Sequence, residues 1–457
     1  MKPQSEQKNW LVRALAVFAD VRPGETAGVL LLTLNAFLLL AGYYMLKTAR
    51  EALILTQGGA EVKSYSSAGQ ALILLALIPL YGAFASKVNR KRLITATMLF
   101  FMSNLAVFYV LGTRGVREGV VYFLWVGIFN VFVISQFWAF ANDLYTESQG
   151  KRLFPIIGFG SSLGAWLGAQ AASKISHYFT PYTLMLTAEA VFAICVALIL
   201  IVNKRESNRA RGERAKDAEA PLSTEGGFQL IFRDRYLLLI AALIVVLNIV
   251  NTSGEFLLGK LVVSQAMSLF GAGAEAAASR QRFIGEFYGQ FFSWVNLAGL
   301  VLQMFFVSRI FRHIGVRGAV FILPSIALAS YTILLAAPVL ALVRMLKVLE
   351  NGTDYSIQNT TRQALFLPTS RVAKYKAKAA IDTFFMRAGD VLQAGITYVG
   401  TQLSFGLSDF AAVNVVLTLF WLGIALCIYR EHRRRTDPVP EAVAPAPAPR
   451  ELRALMA

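Results

Sequence analysis

The run KAKAAIDTFFMRAGD, residues 376–390, carries Asp382, Arg387 and Asp390 into a stretch that is otherwise apolar and continues so to about residue 403. Arg387 and Asp390 are spaced i, i+3, so on a helix they share a face and can neutralise each other. Asp382 falls near the inner end of the same expected helix. Ionised groups in a bilayer cost several kcal/mol or more, so they face a watery cavity or a partner rather than lipid. This stretch is therefore read as one crossing of a membrane protein.

Composition extends that reading to the whole chain. Of the 457 residues, 56% are apolar and only 16% charged, with a mean hydropathy of +0.55. Soluble domains do not combine these values. Twelve apolar windows, each long enough to cross ~30 Å of hydrocarbon as a helix, fall at about 25–45, 67–84, 93–111, 120–141, 155–172, 181–202, 236–258, 287–307, 318–336, 338–357, 379–403 and 410–429. The expected fold is an all-α membrane protein of about twelve transmembrane helices.

The net charge of +17 is distributed in a pattern. With the N-terminus placed inside, most Lys and Arg fall in alternate, inward segments: 86–92 (SKVNRKR), 204–235, 309–317, 362–378 and the tail from Arg430. That is the positive-inside pattern, and it places both termini in the cytoplasm. It makes the bilayer, not nucleic acid, the partner of the basic residues. Cys195 and Cys427 each lie within an apolar window, so no disulfide framework or thiol metal site is implied. His177, His313 and His432 are far apart and read as residues near span ends, not as a metal site.

The N-terminal segment lacks the small-residue cleavage pattern of a signal peptide. Its Trp10, Leu11, Leu15 and Phe18 suggest an amphipathic helix on the inner surface. The organisation expected is an interfacial segment (1–24), a six-helix bundle (25–202), a charged cytoplasmic linker (203–235), a second six-helix bundle (236–429) and a basic, disordered tail (430–457). A longer outward loop at about 259–286 is expected to make a partly helical excursion. Six plus six helices about a central inner loop is the pattern of major facilitator transporters, whose halves are related by a pseudo-two-fold axis. Residues 82–92, GAFASKVNRKR, are similar to that superfamily's inner-loop signature, with Ser86 for the usual Asp and Asn89 for the usual Gly. Residues 308–317, SRIFRHIGVR, look like a degenerate second copy.

Several polar constellations stand inside the apolar frame. The segment GYYMLKTAREALILT, 42–56, continues span 1 past its apolar window, with Lys47, Arg50 and Glu51 beside Tyr43 and Tyr44. Lys47 and Glu51 are spaced i, i+4 and can pair, which leaves Arg50 donors for a phosphate or carboxylate; snorkelling to headgroups is the bland alternative. At the end of span 4, Asn142 and Asp143 precede Lys151 and Arg152, as a cytoplasmic gate or an ordinary interface. In span 10, Arg344, Lys347, Glu350, Asn351 and Asp354 recur every three or four residues and share a helix face. They either line a wet cavity or pair among themselves. Gly160, Gly164 and Gly168 form two overlapping GxxxG steps, which suit a close helix crossing.

Three of these segments together resemble the ATP/ADP translocase family: GYYMLKTAREALILT, FWAFANDLYTESQGKRLFPIIGFGSSLGA (137–165) and YKAKAAIDTFFMRAGD (375–390). The resemblance implies a carrier that moves a nucleotide or related anionic metabolite by alternating access, without hydrolysing it and with no cofactor. It departs from the exchangers at several charges. The family's span 1 Lys falls on Arg50, its span 4 Glu near Val126, its span 7 Glu near Asn251 with Glu255 one turn on, and its span 11 Lys on Asp390. Asp354 stands where the exchangers carry Lys before Tyr355. The residues expected to contact substrate are Tyr43, Tyr44, Lys47, Arg50, Arg344, Lys347, Tyr355 and Arg387. Those expected in gating or coupling are Glu51, Asn142, Asp143, Asn251, Glu255, Glu350, Asp354, Asp382 and Asp390. A proton-coupled carrier of another organic anion, and a membrane scaffold or sensor without transport, remain as alternatives.

Overall fold

The computed structural model describes residues 25–85, 90–206 and 226–436, and every regular element among them is helical. The first group is α1 (Thr26–Gln57), α2 (Gly59–Ala85), α3 (Arg90–Thr113), α4 (Gly119–Leu144), α5 (Glu147–Tyr178) and α6 (Pro181–Glu206). A short α7 (Gly227–Arg233) leads into α8 (Arg235–Phe270), α9 (Ala277–Phe305), α10 (Val307–Ala319) and α11 (Ile322–Ala336). Then α12 (Leu340–Thr353) runs through a π-helical turn, Asp354–Gln358, into α13 (Asn359–Leu365). Two more π turns, Ala373–Ala377 and Ile381–Phe385, flank α14 (Lys378–Ala380) ahead of α15 (Met386–Gln402) and α16 (Leu407–Thr436). The expected surface helix of residues 1–24 and the tail beyond 436 lie outside the described residues, as do 86–89 of the inner-loop signature and most of the linker.

Seven helices are long and apolar enough to cross a membrane, and the pair α9 and α10, bent by 77°, makes an eighth. α5, α11 and the continuous helical segments 340–365 and 373–402 bring the count to one compatible with the twelve expected crossings. Length and composition undercount them because α11, though apolar, has only 15 residues, the segments 340–365 and 373–402 are divided by π turns, and α5 carries glycines, serines and Pro155.

Two helix termini show how the sequence sets the boundaries. α5 opens with a capping box in which Thr146 Oγ1 accepts from the Gln149 amide and Gln149 Oε1 accepts from the Thr146 amide at 3.0 Å. At α8, Asp234 Oδ1 accepts from the Tyr236 amide at 2.8 Å. The expected excursion at 259–286 is smaller than anticipated. α8 and α9 simply extend beyond their apolar windows, and only Gly271–Gly273 and a short 3-10 turn, Ala274–Ala276, separate them. Gly271 supplies the positive φ of 78°, and Arg280 donates back to the Gly271 and Gly273 carbonyls.

α1 is the centre of the first bundle and packs on α4, α5 and α6. Its contact with α5 follows from the GxxxG steps. A Cβ on Gly164 would collide with the Phe37 carbonyl, and one on Gly168 with the Ala41 backbone. In the second bundle α8 packs on α15 and α16, α11 on α16 and α12, and α9 on α12. The bundles meet along α5 with α9, α1 with α9, α2 with α15 and α2 with α8. Small residues again permit the approach, with Gly289 set against the Ser173 backbone.

Candidate functional site

Several polar contacts join the bundles near the end carrying the 57–59 and 271–276 turns. Glu61 pairs with Lys260 at 2.8 Å. Ser64 donates to Gln393 at 2.7 Å, and the His177 ring contacts Glu286 at 2.9 Å. Deeper in, α1 presents Glu51, whose side chain is 1% exposed and which holds Arg50 at 2.5 Å and Lys63 of α2 at 2.7 Å. Lys63 also lies 4.0 Å from Glu255 of α8, and Glu255 in turn accepts from Asn351 of α12 at 2.8 Å. One chain of charge thus links α1, α2, α8 and α12 across the interface.

That arrangement corrects the expected Lys47–Glu51 pair. Glu51 is taken by Arg50 and Lys63, and Lys47 instead points at aromatic rings. Its Nζ stands 4.1 Å from the Phe292 ring centroid and 5.2 Å from that of Tyr44. Among the described residues Lys47 makes no ion pair. The Arg50 guanidinium also lies 4.6 Å over Phe123, spending Nε and Nη2 on Glu51. The i, i+4 spacing failed as a guide because Lys63 approaches Glu51 from another helix.

One helical turn from Lys47, Tyr44 donates to Asn296 Oδ1 at 2.9 Å, while Asn296 Nδ2 donates to the Ala165 carbonyl at 3.2 Å. Beyond this link opens a cavity of about 370 Å³ between the bundles, lined among others by Tyr44, Ser161, Asn296, Gln303, Tyr355 and Asn359. Its size is that of a small-molecule site, and its walls mix aromatic and neutral amide groups. Tyr355 belongs to the π turn at 354–358, a backbone irregularity common at functional sites. Tyr43 is buried beside Tyr44, with ring centroids 5.4 Å apart.

The span 10 face divides between two surroundings. Lys347 and Glu350 pair at 2.9 Å, both side chains under 5% exposed, and Tyr331 and Asn251 complete their hydrogen bonds. These groups are enclosed by the second bundle rather than by the large cavity. Arg344 donates to Gln290 of α9 at 3.1 Å and lies over Phe287. Asp354 is half-buried in the π turn.

Arg387 and Asp390 do pair, at 3.2 Å, and Asn248 adds a 2.8 Å hydrogen bond to the Asp390 carboxylate. Asp382 stands apart from them, 3.9 Å from both Arg362 and Lys378. Asn142 is exposed, and Arg152 pairs with Glu25 at 3.0 Å. The side chains of Asp143 and Lys151 lie outside the described residues.

Sequence reasoning passed over Lys63, Asn296, Phe292, Gln303 and Asn248. Lys63 lies ahead of the apolar window 67–84 and so looked like a loop residue. Its helical start at Gly59 is the signal that would have found it.

Comparisons with known proteins bear on the family and the fold. The family model described as TLC ATP/ADP transporter matches residues 120–432. ADP,ATP carrier protein 1 of Chlamydia muridarum is 25% identical over 345 residues, 65% of this chain and 61% of that protein. The chain therefore spans under two thirds of that relative's length. ADP,ATP carrier protein 2 of Chlamydia pneumoniae is 22% identical, with 98% of this chain and 96% of that protein covered. Among solved structures, the nucleoside transporter NupG matches with a TM-score of 0.62 at 13% identity, covering 89% of this chain and 99% of that one. The peptide transporter POT in complex with sulfate matches at 0.59 and 12%, covering 92% and 98%. At such identities the structural likeness concerns the fold, which is major-facilitator-like.

Proposed function

The chain belongs to the TLC ATP/ADP transporter family, and we propose that it is a secondary transporter exchanging a nucleotide or related anionic metabolite across a bacterial inner membrane by alternating access. The observation that carries this reading is the 370 Å³ cavity between the bundles, with Tyr44 and Tyr355 in its wall and Lys47, without an ion pair among the described residues, one turn away. In it, a base stacks on the tyrosines and the anionic part meets Lys47 and Arg50. Nothing in this cycle requires bond cleavage, and the chain acts as a carrier rather than an enzyme.

The positive-inside distribution puts both termini in the cytoplasm, with residues 25–202 and 236–429 as the two bundles and 203–235 as their linker. With that orientation the Glu51–Lys63–Glu255 chain and the Glu61–Lys260 pair lie on the outer side of the cavity. They close the outer path while the cavity faces inward. Alternation then requires the contacts between bundles, Lys63 with Glu255 and Glu61 with Lys260, to open, while Arg50 and Glu51 travel together on α1.

Reconstitution into liposomes preloaded with unlabelled nucleotide tests the proposal through counterflow of labelled nucleotide. Arg50→Ala is expected to abolish counterflow while the protein still inserts and purifies as a folded species. Normal counterflow by that variant would remove Arg50 from the site, and absence of counterflow with every nucleotide would remove the function.

A further inference from the structure

From 287 to 343 the chain carries no carboxylate, and its arginines there, Arg309, Arg312 and Arg317, all stand in α10. The regular part of that helix runs from Val307 to Ile314 and stops because Gly315 takes a φ of 67°, which glycine adopts without strain. Val307, Ile310, Phe311 and Ile314, spaced i, i+3, i+4 and i+7, form one face. Ser308, Arg309, Arg312 and His313 form the opposite one. The result is a short amphipathic helix with its cations gathered on one side.

The tertiary structure sets this helix across the spans. α10 turns 77° from α9, so where α9 crosses the bilayer α10 runs nearly in the membrane plane. Contacts with α13, α16 and the π turn at 354–358 hold it there. Val307 is buried, whereas Ile314 and, at the bend, Phe305 and Phe306 are each about half exposed. Apolar groups left open on an in-plane helix suit the boundary between headgroups and acyl chains. Among the described residues neither Arg309 nor Arg312 meets a carboxylate; both are exposed, and Arg309 donates to the Phe305 carbonyl. Arg317 donates to Thr436 at 2.6 Å, which brings the Arg433–Arg435 end of α16 alongside. There Arg434 and Arg435 are engaged by Glu431, and Arg435 also by Asp234. The cations of α10 open to an outside anion are therefore Arg309 and Arg312.

We propose that α10 is an interfacial helix that binds anionic phospholipid of the cytoplasmic leaflet, with Ile314 and the Phe305–Phe306 bend among the acyl chains and Arg309 and Arg312 on the headgroup phosphates. A guanidinium makes charge-assisted, often bidentate hydrogen bonds to phosphate, and its long stem reaches along the headgroup layer from an in-plane helix. A zwitterionic headgroup carries its own cation beside the phosphate, so the attraction favours lipids of net negative charge. The leaflet follows from the positive-inside orientation; the recognition itself does not depend on which substrate the chain carries.

The test uses the full-length protein with Ile314→Trp, which adds a fluorophore to the exposed apolar position. In proteoliposomes its emission, taken as the difference from wild type, is quenched by lipids brominated on their acyl chains. At equal mole fraction, brominated phosphatidylglycerol is expected to quench it at least about twofold more than brominated phosphatidylcholine, through local enrichment of the anionic lipid. Adding Arg309→Gln and Arg312→Gln is expected to make the two lipids equal. Quenching by neither lipid would show a helix in water, and equal quenching with both arginines present would show no recognition of charge. Either result, or a preference that survives the two substitutions, overturns the inference. Should Ile314→Trp fail to insert, thermal unfolding of the wild type in detergent decides. Short-chain phosphatidylglycerol is expected to raise the Tm more than phosphatidylcholine does, and Arg309→Gln with Arg312→Gln to remove that difference. Equal shifts, or an equal gain from glycerol phosphate without acyl chains, would overturn the lipid assignment. Counterflow is no part of this readout, so the transporter reading stands or falls separately.

Discussion

Lys63 stands 2.7 Å from Glu51 in its own bundle and 4.0 Å from Glu255 in the other, so one ammonium group serves carboxylates on both sides of the interface. The nearer partner is almost fully enclosed, and the farther one is about a fifth exposed. Lys63 therefore has a permanent contact with α1 and a breakable one with α8.

Removing Lys63 leaves Glu51 with Arg50 alone. Lys63→Met is expected to destabilise the protein by about 3 kcal/mol, the scale for breaking a buried ion pair. Thermal unfolding in detergent measures it. A double-mutant cycle with Glu255→Gln is expected to give a coupling below about 1 kcal/mol, as a long and part-exposed contact should. A larger coupling would make the bond between bundles more than a breakable latch.

Lys347 and Glu350 predict a different pattern from a pair that handles substrate. Lys347→Met alone should cost about 3 kcal/mol by stranding a buried carboxylate, whereas Lys347→Met with Glu350→Leu should fall within about 1 kcal/mol of wild type. Counterflow should survive in the double variant. Its loss would return these two residues to the transport site.

Tyr44 ties α1 to α9 through Asn296. Tyr44→Phe should cost about 1 kcal/mol, the ordinary net worth of a hydrogen bond, and should weaken ligand binding less than Tyr44→Ala, which also removes the ring. Equal losses for the two variants would mean that stacking contributes nothing.

Glu118, in the turn ahead of α4, is buried, and among the described residues neither carboxylate oxygen is hydrogen-bonded. Burial pushes its carboxyl up to about 7. The folded state then binds more protons than the unfolded state from the ordinary carboxyl value of 4.5 up to about 7, so stability declines as pH rises through that window. Glu118→Gln should flatten this part of the pH-stability curve and be the more stable protein above it. An unchanged slope would show that Glu118 ionises normally.

The close crossing of α1 and α5 is the most sequence-legible contact in the molecule. Gly164→Leu is expected to block folding or destabilise by at least about 2 kcal/mol, because the added side chain meets the Phe37 backbone rather than a movable side chain. Yield of folded protein after membrane extraction reads this directly.

Much of the fold was written in local patterns. The apolar windows, the GxxxG steps and the Arg387–Asp390 spacing each depend on residues within one helix, where a turn of 3.6 residues fixes who neighbours whom. The same logic failed at Glu51, because spacing along α1 favoured Lys47 while α2 delivered Lys63. It also grouped Lys347, Glu350 and Asn351 as one face, although a helix face about 100° wide can touch two different environments. Here Lys347 and Glu350 turn toward Tyr331, and Asn351 turns toward Glu255.

By itself, then, the sequence determined that the chain is a many-helix membrane protein and which family motifs it carries, because hydropathy and helical spacing are properties of single segments. Only the tertiary structure decided which charges pair, that Lys47 lies against the Phe292 ring, and that Tyr44 and Tyr355 share a cavity. Those facts depend on which helices meet, and an ion pair between residues nearly two hundred positions apart leaves no local signature.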